Sequence, residues 1–282
     1  MAMVINSNIA SLNSQRMLSA TNSSLQTSME RLSSGLRVNS AKDDAAGLAI
    51  ADKMTSQIRG MTVAMRNAND GISMAQTAES AMGSITETLQ RMRDLGVQAA
   101  NRGAVSAKDR QKLQTEFKQL GDEINRIINN TEFNGKKILA GSLVGARFQV
   151  GAGTSANNQI SITVSNLTGA SGVGSIQGGG ASIGSNATSN NVLSAITKID
   201  NAIAKIDEFR SKLGAVQNRF TTTIGNLQSS IENQSAARSR IMDADFAVET
   251  SNLSRSQILQ QAGSAMLAQA NQSQQNVLSL LR

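Results

Sequence analysis

Asp43-Asp44 and Asp122-Glu123 are among the places where the chain sets carboxylates side by side, which is where acid–base chemistry would start. Neighbouring residues on a helix diverge by about 100°, so neither pair can share a proton or grip one substrate atom. Each has cations close by, Lys42 and Lys53 for the first and Arg126 for the second, which reads as a charged, solvated helix face. The other catalytic residue types are missing. The chain has no His and no Cys, so it has no imidazole base, no thiolate and no zinc–thiolate site. No enzyme, cofactor or metal site is expected.

The net charge is +7, which by itself suits an anionic partner. Its distribution does not. Lys108-Asp109-Arg110 and Asp122-Glu123 before Arg126 show basic residues interleaved with acidic ones. There is no basic run and no aromatic platform for stacking bases, so neither nucleic acid nor a membrane is expected as partner. No stretch approaches the roughly 20 apolar residues of a membrane span. The opening residues lack the charged and then apolar pattern of a secretory signal.

The elements that would position any functional residue are helices. Aromatic residues make up only 2% of the 282 residues and Pro is absent. Pro breaks long helices, so its absence suits them. Val192, Ile196, Ile199, Ile203, Ile206, Leu213, Phe220, Ile224, Leu227 and Ile231 fall on heptad positions, a seam for zipping against other helices. Leu18, Leu25, Met29, Leu32 and Leu36 repeat that rhythm near the start. The pattern predicts five helices: residues 1–36, one from Asp43 or Asp44 to about Asn101, one capped by Ser106 and closed by Asn129-Asn130, one over 191–240, and one through Leu253, Leu259 and Met266 to Arg282. Residues 141–190 hold eleven Gly and one charged residue, Arg147. Within them Phe148 and Val150, then Ile160, Ile162 and Val164, alternate with polar neighbours and predict a β-hairpin. Residues 169–190 read as a Gly/Ser/Asn-rich loop or a poorly ordered segment. The fold class is mainly α: long antiparallel helices forming a rod and a terminal coiled coil, with a small β-hairpin region in the middle. Amphipathic helices at both ends need neighbours to cover their seams, so self-association is expected.

Longer runs of residues carry a resemblance. Met3-Val4-Ile5-Asn6-Ser7-Asn8-Ile9-Ala10-Ser11-Leu12 and Leu32-Ser33-Ser34-Gly35-Leu36-Arg37-Val38-Asn39-Ser40-Ala41-Lys42-Asp43-Asp44-Ala45-Ala46-Gly47 resemble the start of bacterial flagellins. Ser239-Arg240-Ile241-Met242-Asp243-Ala244-Asp245-Phe246, Gln257-Ile258-Leu259-Gln260-Gln261-Ala262-Gly263 and Asn276-Val277-Leu278-Ser279-Leu280-Leu281-Arg282 resemble their end. The resemblance covers about residues 1–140 and 190–282. It implies a structural subunit that leaves the cell unfolded through the flagellar export channel and polymerises at the distal tip into the extracellular filament used for swimming. It assigns 1–43 and 242–282 to an inner terminal-helix domain lining the filament channel, 44–141 and 191–241 to an outer helical rod domain, and 142–190 to a rudimentary variable region. The implied partners are further copies of the chain, the export apparatus, an export chaperone, and the filament cap and junction proteins. The family often carries Pro where this chain has Ser273.

Two sets of residues follow from the resemblance. Leu278, Leu280 and Leu281 would be held by the chaperone. Leu89-Gln90-Arg91-Met92-Arg93-Asp94-Leu95 resembles the segment recognised by host Toll-like receptor 5, which puts Arg91, Leu95 and, on the third helix, Glu116 at the receptor. Arg91 and Leu95 are four residues apart, which places them on one helix face; Leu89 and Met92 then face the core. An ordinary ion pair between Arg91 and Glu116 is the plainer account of those two. Two rival readings are a hook–filament junction protein and a secreted coiled-coil translocator.

Overall fold

The computed structural model describes residues 7–141, 145–164, 166–167, 169, 173–176 and 181–280, leaving aside the side chains of 175 and 274–280. The chain forms α1 (Ile9–Ser34), α2 (Ala45–Ala100), α3 (Ala107–Asn130), β1 (Glu132–Phe133), β2 (Lys136–Lys137), β3 (Ala146–Gln149), a 3-10 turn (Ala156–Asn158), β4 (Gln159–Ile162), α4 (Val173–Ile176), α5 (Ser189–Met242) and α6 (Phe246–Leu280). The mainly α class read from the seams is the class found.

Side chains set the helix ends. The Asn8 side chain caps α1 by accepting from the Ser11 amide at 3.0 Å. Gly35 closes the helix with φ +71°, a left-handed conformation that only glycine adopts at no steric cost. The adjacent aspartates divide the start of α2 between them. Asp44 caps the helix through the Gly47 amide at 2.8 Å. Asp43 turns back to accept from the Asn39 and Ser40 amides at 3.2 and 2.9 Å. Those bonds, the Ser40 amide first, hold the Asp43 carboxyl below its ordinary pKa. Ser106 caps α3, accepting from the Asp109 amide at 3.2 Å and donating to its carboxylate at 2.7 Å. At the far end, α6 runs straight through Ser273, whose hydroxyl donates to the Ala270 carbonyl at 3.0 Å.

The chain divides into two compact units, residues 58–231 and the two ends, 1–57 with 232–282. The central unit has an apolar core. Met82, Ile85, Leu89 and Met92 of α2, Ile124 and Ile128 of α3, and Val192, Ile199, Ile206 and Phe220 of α5 are all buried in one cluster. Phe220 is fully buried, its ring over Gly71 of α2 and edge-on to Phe148 of β3, with centroids 5.7 Å apart. A Cβ on Gly71 would lie 2.7 Å from Phe220 Cζ, so the missing side chain is the seat of the ring.

The β3–β4 pair is antiparallel, with Phe148 opposite Ile160 and Ala146 opposite Ile162, as the alternation predicted. It lies along α2, where the Asn67 side-chain amide donates to the Gln149 carbonyl at 3.0 Å. A second, smaller hairpin, β1–β2, is absent from the sequence reading. Its signal was present: Asn134-Gly135 both have positive φ, the requirement of the tightest hairpin turn. Residues 169–190, read as a loop or a poorly ordered segment, are a loop over 181–188, with the short α4 before it and α5 from Ser189. Val173, Ile176, Ala181, Ile183 and Ala187 are buried in the core. The segment is tied to α3 by Gln114, which accepts from the Ile183 amide at 2.6 Å, and by Arg110, which donates to the Ser185 carbonyl at 3.4 Å. Composition gives no sign of this anchoring, which rests on a few well-placed apolar residues in a Gly/Ser-rich segment.

Candidate assembly surface

The unit made from the two ends is organised in the opposite sense. Helices α1 and α6 pair antiparallel. The Asn8 side chain donates to the Ala270 carbonyl at 3.0 Å, Gln260 donates to Asn22 at 3.0 Å, and Arg31 Nη1 lies 3.9 Å from Glu249 Oε2. Between these, the helices come close at Gly263, where a Cβ would lie 3.3 Å from Leu18 Cδ1. The positions that face across the pair repeat at three and four residues: Ser11, Leu18, Leu25, Ser28 and Leu32 on α1, and Glu249, Ser256, Gln260, Gly263 and Leu267 on α6. Ser11, Ser28, Glu249 and Ser256 are the buried members of this seam. Polar groups at seam positions weaken a helix pair but fix its register, because each must find its own partner.

The apolar residues lie on the outside. Of the thirteen large hydrophobic side chains left exposed among the described residues, ten belong to this unit: Ile9, Leu12, Met17, Met29, Ile50, Phe246, Val248, Ile258, Leu259 and Met266. Among the described residues of this unit, Val38 and Ala51 are the buried apolar ones. Leu259 and Met266, through which the sequence reading runs the last helix, are 50% and 63% exposed. The inward stripe is mixed, with Leu18, Leu25, Leu32 and Leu267 half-buried among Ser, Gln, Gly and Glu. Met17 and Leu259 edge a groove of about 490 Å³ between the helices, with Ser28, Arg31 and Glu249 along it. The Arg31 Nε–H is buried there without a hydrogen-bond partner.

A backbone clasp ties the chain together beside this pair. The Arg37 and Val38 amides both donate to the Met242 carbonyl, at 2.6 and 3.4 Å, and the Ala244 amide donates to the Gly35 carbonyl at 2.9 Å. The Arg37 side chain adds a bond to the Ile241 carbonyl at 2.8 Å. Leu36 and Asp243 thus pair like a single rung of a β-ladder, satisfying backbone groups where four helix ends meet. No apolar periodicity signals such a rung.

The residues singled out for receptor binding lie in the central unit. Arg91 Nε and Nη2 both donate to Glu116 Oε1, at 3.0 and 2.6 Å, joining α2 to α3 in an exposed ion pair. Leu95 is elsewhere. It is 1% exposed, so the expected shared surface of Arg91 and Leu95 is corrected to Arg91 with Glu116. Four residues leave about 40° between side chains, enough for the edge of a broad buried arc to fall between them. Leu89 and Met92 are fully buried. The side chains of Leu278 and Leu280, and the whole of Leu281, lie outside the described residues.

Two family models match the chain in order, the bacterial flagellin N-terminal helical region over residues 5–143 and the C-terminal helical region over 196–281. The chain belongs to the flagellin family. It is 46% identical to a flagellin of Bacillus subtilis (strain 168), covering 99% of this chain and all of the relative. It is 44% identical to the flagellar filament 33 kDa core protein of Treponema phagedenis, again over 99% of this chain and all of the relative. A crystal structure of Bacillus cereus flagellin, 31% identical, matches 61% of this chain and 94% of its own with a TM-score of 0.50. A putative flagellar hook-associated protein from Vibrio parahaemolyticus matches with a TM-score of 0.58 at 15% identity, a likeness of fold alone. The flagellin family is one of structural proteins, not enzymes.

Proposed function

We propose that this flagellin-family chain polymerises with copies of itself into the filament of a bacterial flagellum. The carrying observation is the α1–α6 pair, whose most buried members are polar while large apolar side chains line its outside. Water penalises exposed apolar stripes of this size, and a second layer of the same helices removes them from it. A contact that joins different faces of identical subunits builds an open helical filament where its rotation does not close a ring. The names of the relatives support the same reading. Residues 1–43 and 242–282 then form the inner layer around the channel, and 44–141 with 191–241 the outer helical layer.

The finer steps belong to the same proposal. The chain leaves the cell unfolded through the flagellar export channel, with a chaperone covering Leu278, Leu280 and Leu281. It folds at the distal tip beneath the cap, on a filament begun by junction proteins. The lack of Cys and Pro suits this, because neither disulfide exchange nor prolyl isomerisation slows refolding. Host Toll-like receptor 5 reads the exposed Arg91–Glu116 pair, with Leu95 acting only through the packing beneath.

Electron microscopy of the purified chain tests the central claim. Long hollow filaments from the parent protein, and none from Ile258→Ser with Met266→Ser, are expected. A parent that stays monomeric under polymerising conditions, or a double variant that assembles like the parent, overturns it.

A further inference from the structure

The chain holds twelve Met against six Phe, and the described methionines range from fully buried to mostly exposed. Met82 and Met92 are fully buried in the central unit. Met17 and Met266 are 60% and 63% exposed on the terminal pair. These two occupy one stretch of that pair: Met17 adjoins Leu18, which meets Gly263, and Met266 lies less than one turn beyond Gly263. Met17 edges the interhelical groove with Leu259, and Met266 follows Leu259 by seven residues, on the same face of α6. Two thioethers therefore sit in the apolar stripe assigned to assembly.

We infer that Met17 and Met266 are sulfoxidation sites through which peroxide excludes damaged subunits from the polymer. The inference rests on the assembly reading above. A thioether lone pair attacks one oxygen of hydrogen peroxide. The S–O bond forms as the O–O bond breaks, sulfur loses two electrons, and the departing hydroxide takes the remaining proton to leave as water. The product is a polar sulfoxide where the contact requires an apolar side chain. Subunits already in the filament are protected because the contact covers both sulfurs, so the check acts before incorporation. With no Cys in the chain, no thiol competes for the oxidant.

The test exposes unassembled chain to hydrogen peroxide, removes the excess with catalase, and adds filament fragments as seeds. Peptide mass spectrometry then reads sulfoxide in the sedimented polymer and in the supernatant. Sulfoxide at Met17 and Met266 should be enriched in the supernatant, and Met82 and Met92 should stay reduced in both fractions. Treatment with methionine sulfoxide reductases should restore the lost polymer. The M17L/M266L variant should lose much less polymer to peroxide than the parent, the remaining loss coming from Met29, which is 53% exposed on α1. Equal sulfoxide at Met17 and Met266 in polymer and supernatant overturns the inference. So does an M17L/M266L variant that loses polymer on oxidation as the parent does. Untreated parent that forms no polymer is a separate result, which overturns the assembly reading itself.

Discussion

In the unit from Ile58 to Ile231, Phe117, Phe220, Met82 and Leu89 point inward and the ion pairs Arg91–Glu116 and Arg93–Asp200 lie outside. In the unit built from the two ends, Ser11, Ser28, Glu249 and Ser256 point inward and Leu12, Phe246, Ile258 and Met266 lie outside. Both are helices with heptad-like spacing, so periodicity alone does not distinguish them. What differs is which stripe is turned toward the partner helix. The first arrangement is complete within one chain. The second leaves its largest hydrophobic term unused, and that term is available for association.

The largest test of this contrast removes α6 from Phe246 onward. Polymer formation should vanish, and the central unit should melt as in the parent when followed by circular dichroism. Filaments from the truncated chain would erase the distinction between the two units. Next comes matched truncation. Phe220→Ala empties a fully buried site and should cost about 3–5 kcal/mol in chemical unfolding. Met266→Ala, at an exposed site, should change monomer stability by no more than about 0.5 kcal/mol while weakening the polymer. Equal losses from both would show that the terminal unit has a core of its own.

A third test sharpens the account of the central core. Gly71→Ala gains about 1 kcal/mol of helix propensity. It should still destabilise by about 1–2 kcal/mol net, because the new methyl meets the Phe220 ring. With Phe220→Leu already in place, Gly71→Ala should turn neutral or stabilising. Additive effects in that double-mutant cycle would refute the seat. Arg91→Ala, a fourth test, should cost under about 1 kcal/mol, because both partners of that ion pair are roughly half exposed. A larger loss in urea titrations would mean that the pair locks α3 to α2.

The smallest effect concerns Glu208 on α5. Bonds from Lys205 and Lys212, each at 2.6 Å, hold its carboxyl at about 2 instead of 4.5. A lowered pKa in the folded chain contributes stability above about pH 4.5, and that contribution disappears as pH falls through about 2. The group is fully exposed, so the pH dependence of unfolding should barely register it. Side-chain NMR should show the depressed midpoint in the parent and one near the ordinary value in Lys205→Ala with Lys212→Ala. An unshifted midpoint in the parent would remove the paired lysines from the account.

The α5 seam from Val192 to Leu227 was legible in the sequence because burial there follows apolar spacing. So were the β3–β4 hairpin and the caps at Ser106 and Asp44. The inner seam of α1 and α6 was legible in part: Leu18, Leu25 and Leu32 lie on it, half-buried, but its buried members are Ser11, Ser28, Glu249 and Ser256. Apolar spacing does not find those polar positions, and it includes Met29, which lies outside. Leu95 was misplaced for a related reason. Heptad position locates a residue on a helix, but the width of the buried arc depends on how many elements pack there. The clasp between Gly35–Val38 and Met242–Ala244 is made by backbone groups, about which side-chain pattern says little.

The inverted terminal pair also decides where heat capacity appears. Unfolding the central unit exposes Phe, Met, Ile and Leu to water and should carry a large positive heat-capacity change. Separating α1 from α6 uncovers hydroxyls, amides and a carboxylate together with Leu18, Leu25, Leu32 and Leu267, so polar and apolar hydration act in opposite directions. That step should be nearly invisible to a calorimeter through its baseline. The missing heat capacity is transferred to polymerisation, where outward Ile, Leu, Met, Phe and Val side chains leave water and the change turns negative. Near room temperature such an association is driven by the entropy of released water and strengthens on warming. While its subunits stay folded, a filament held this way should gain stability on warming and lose it on cooling.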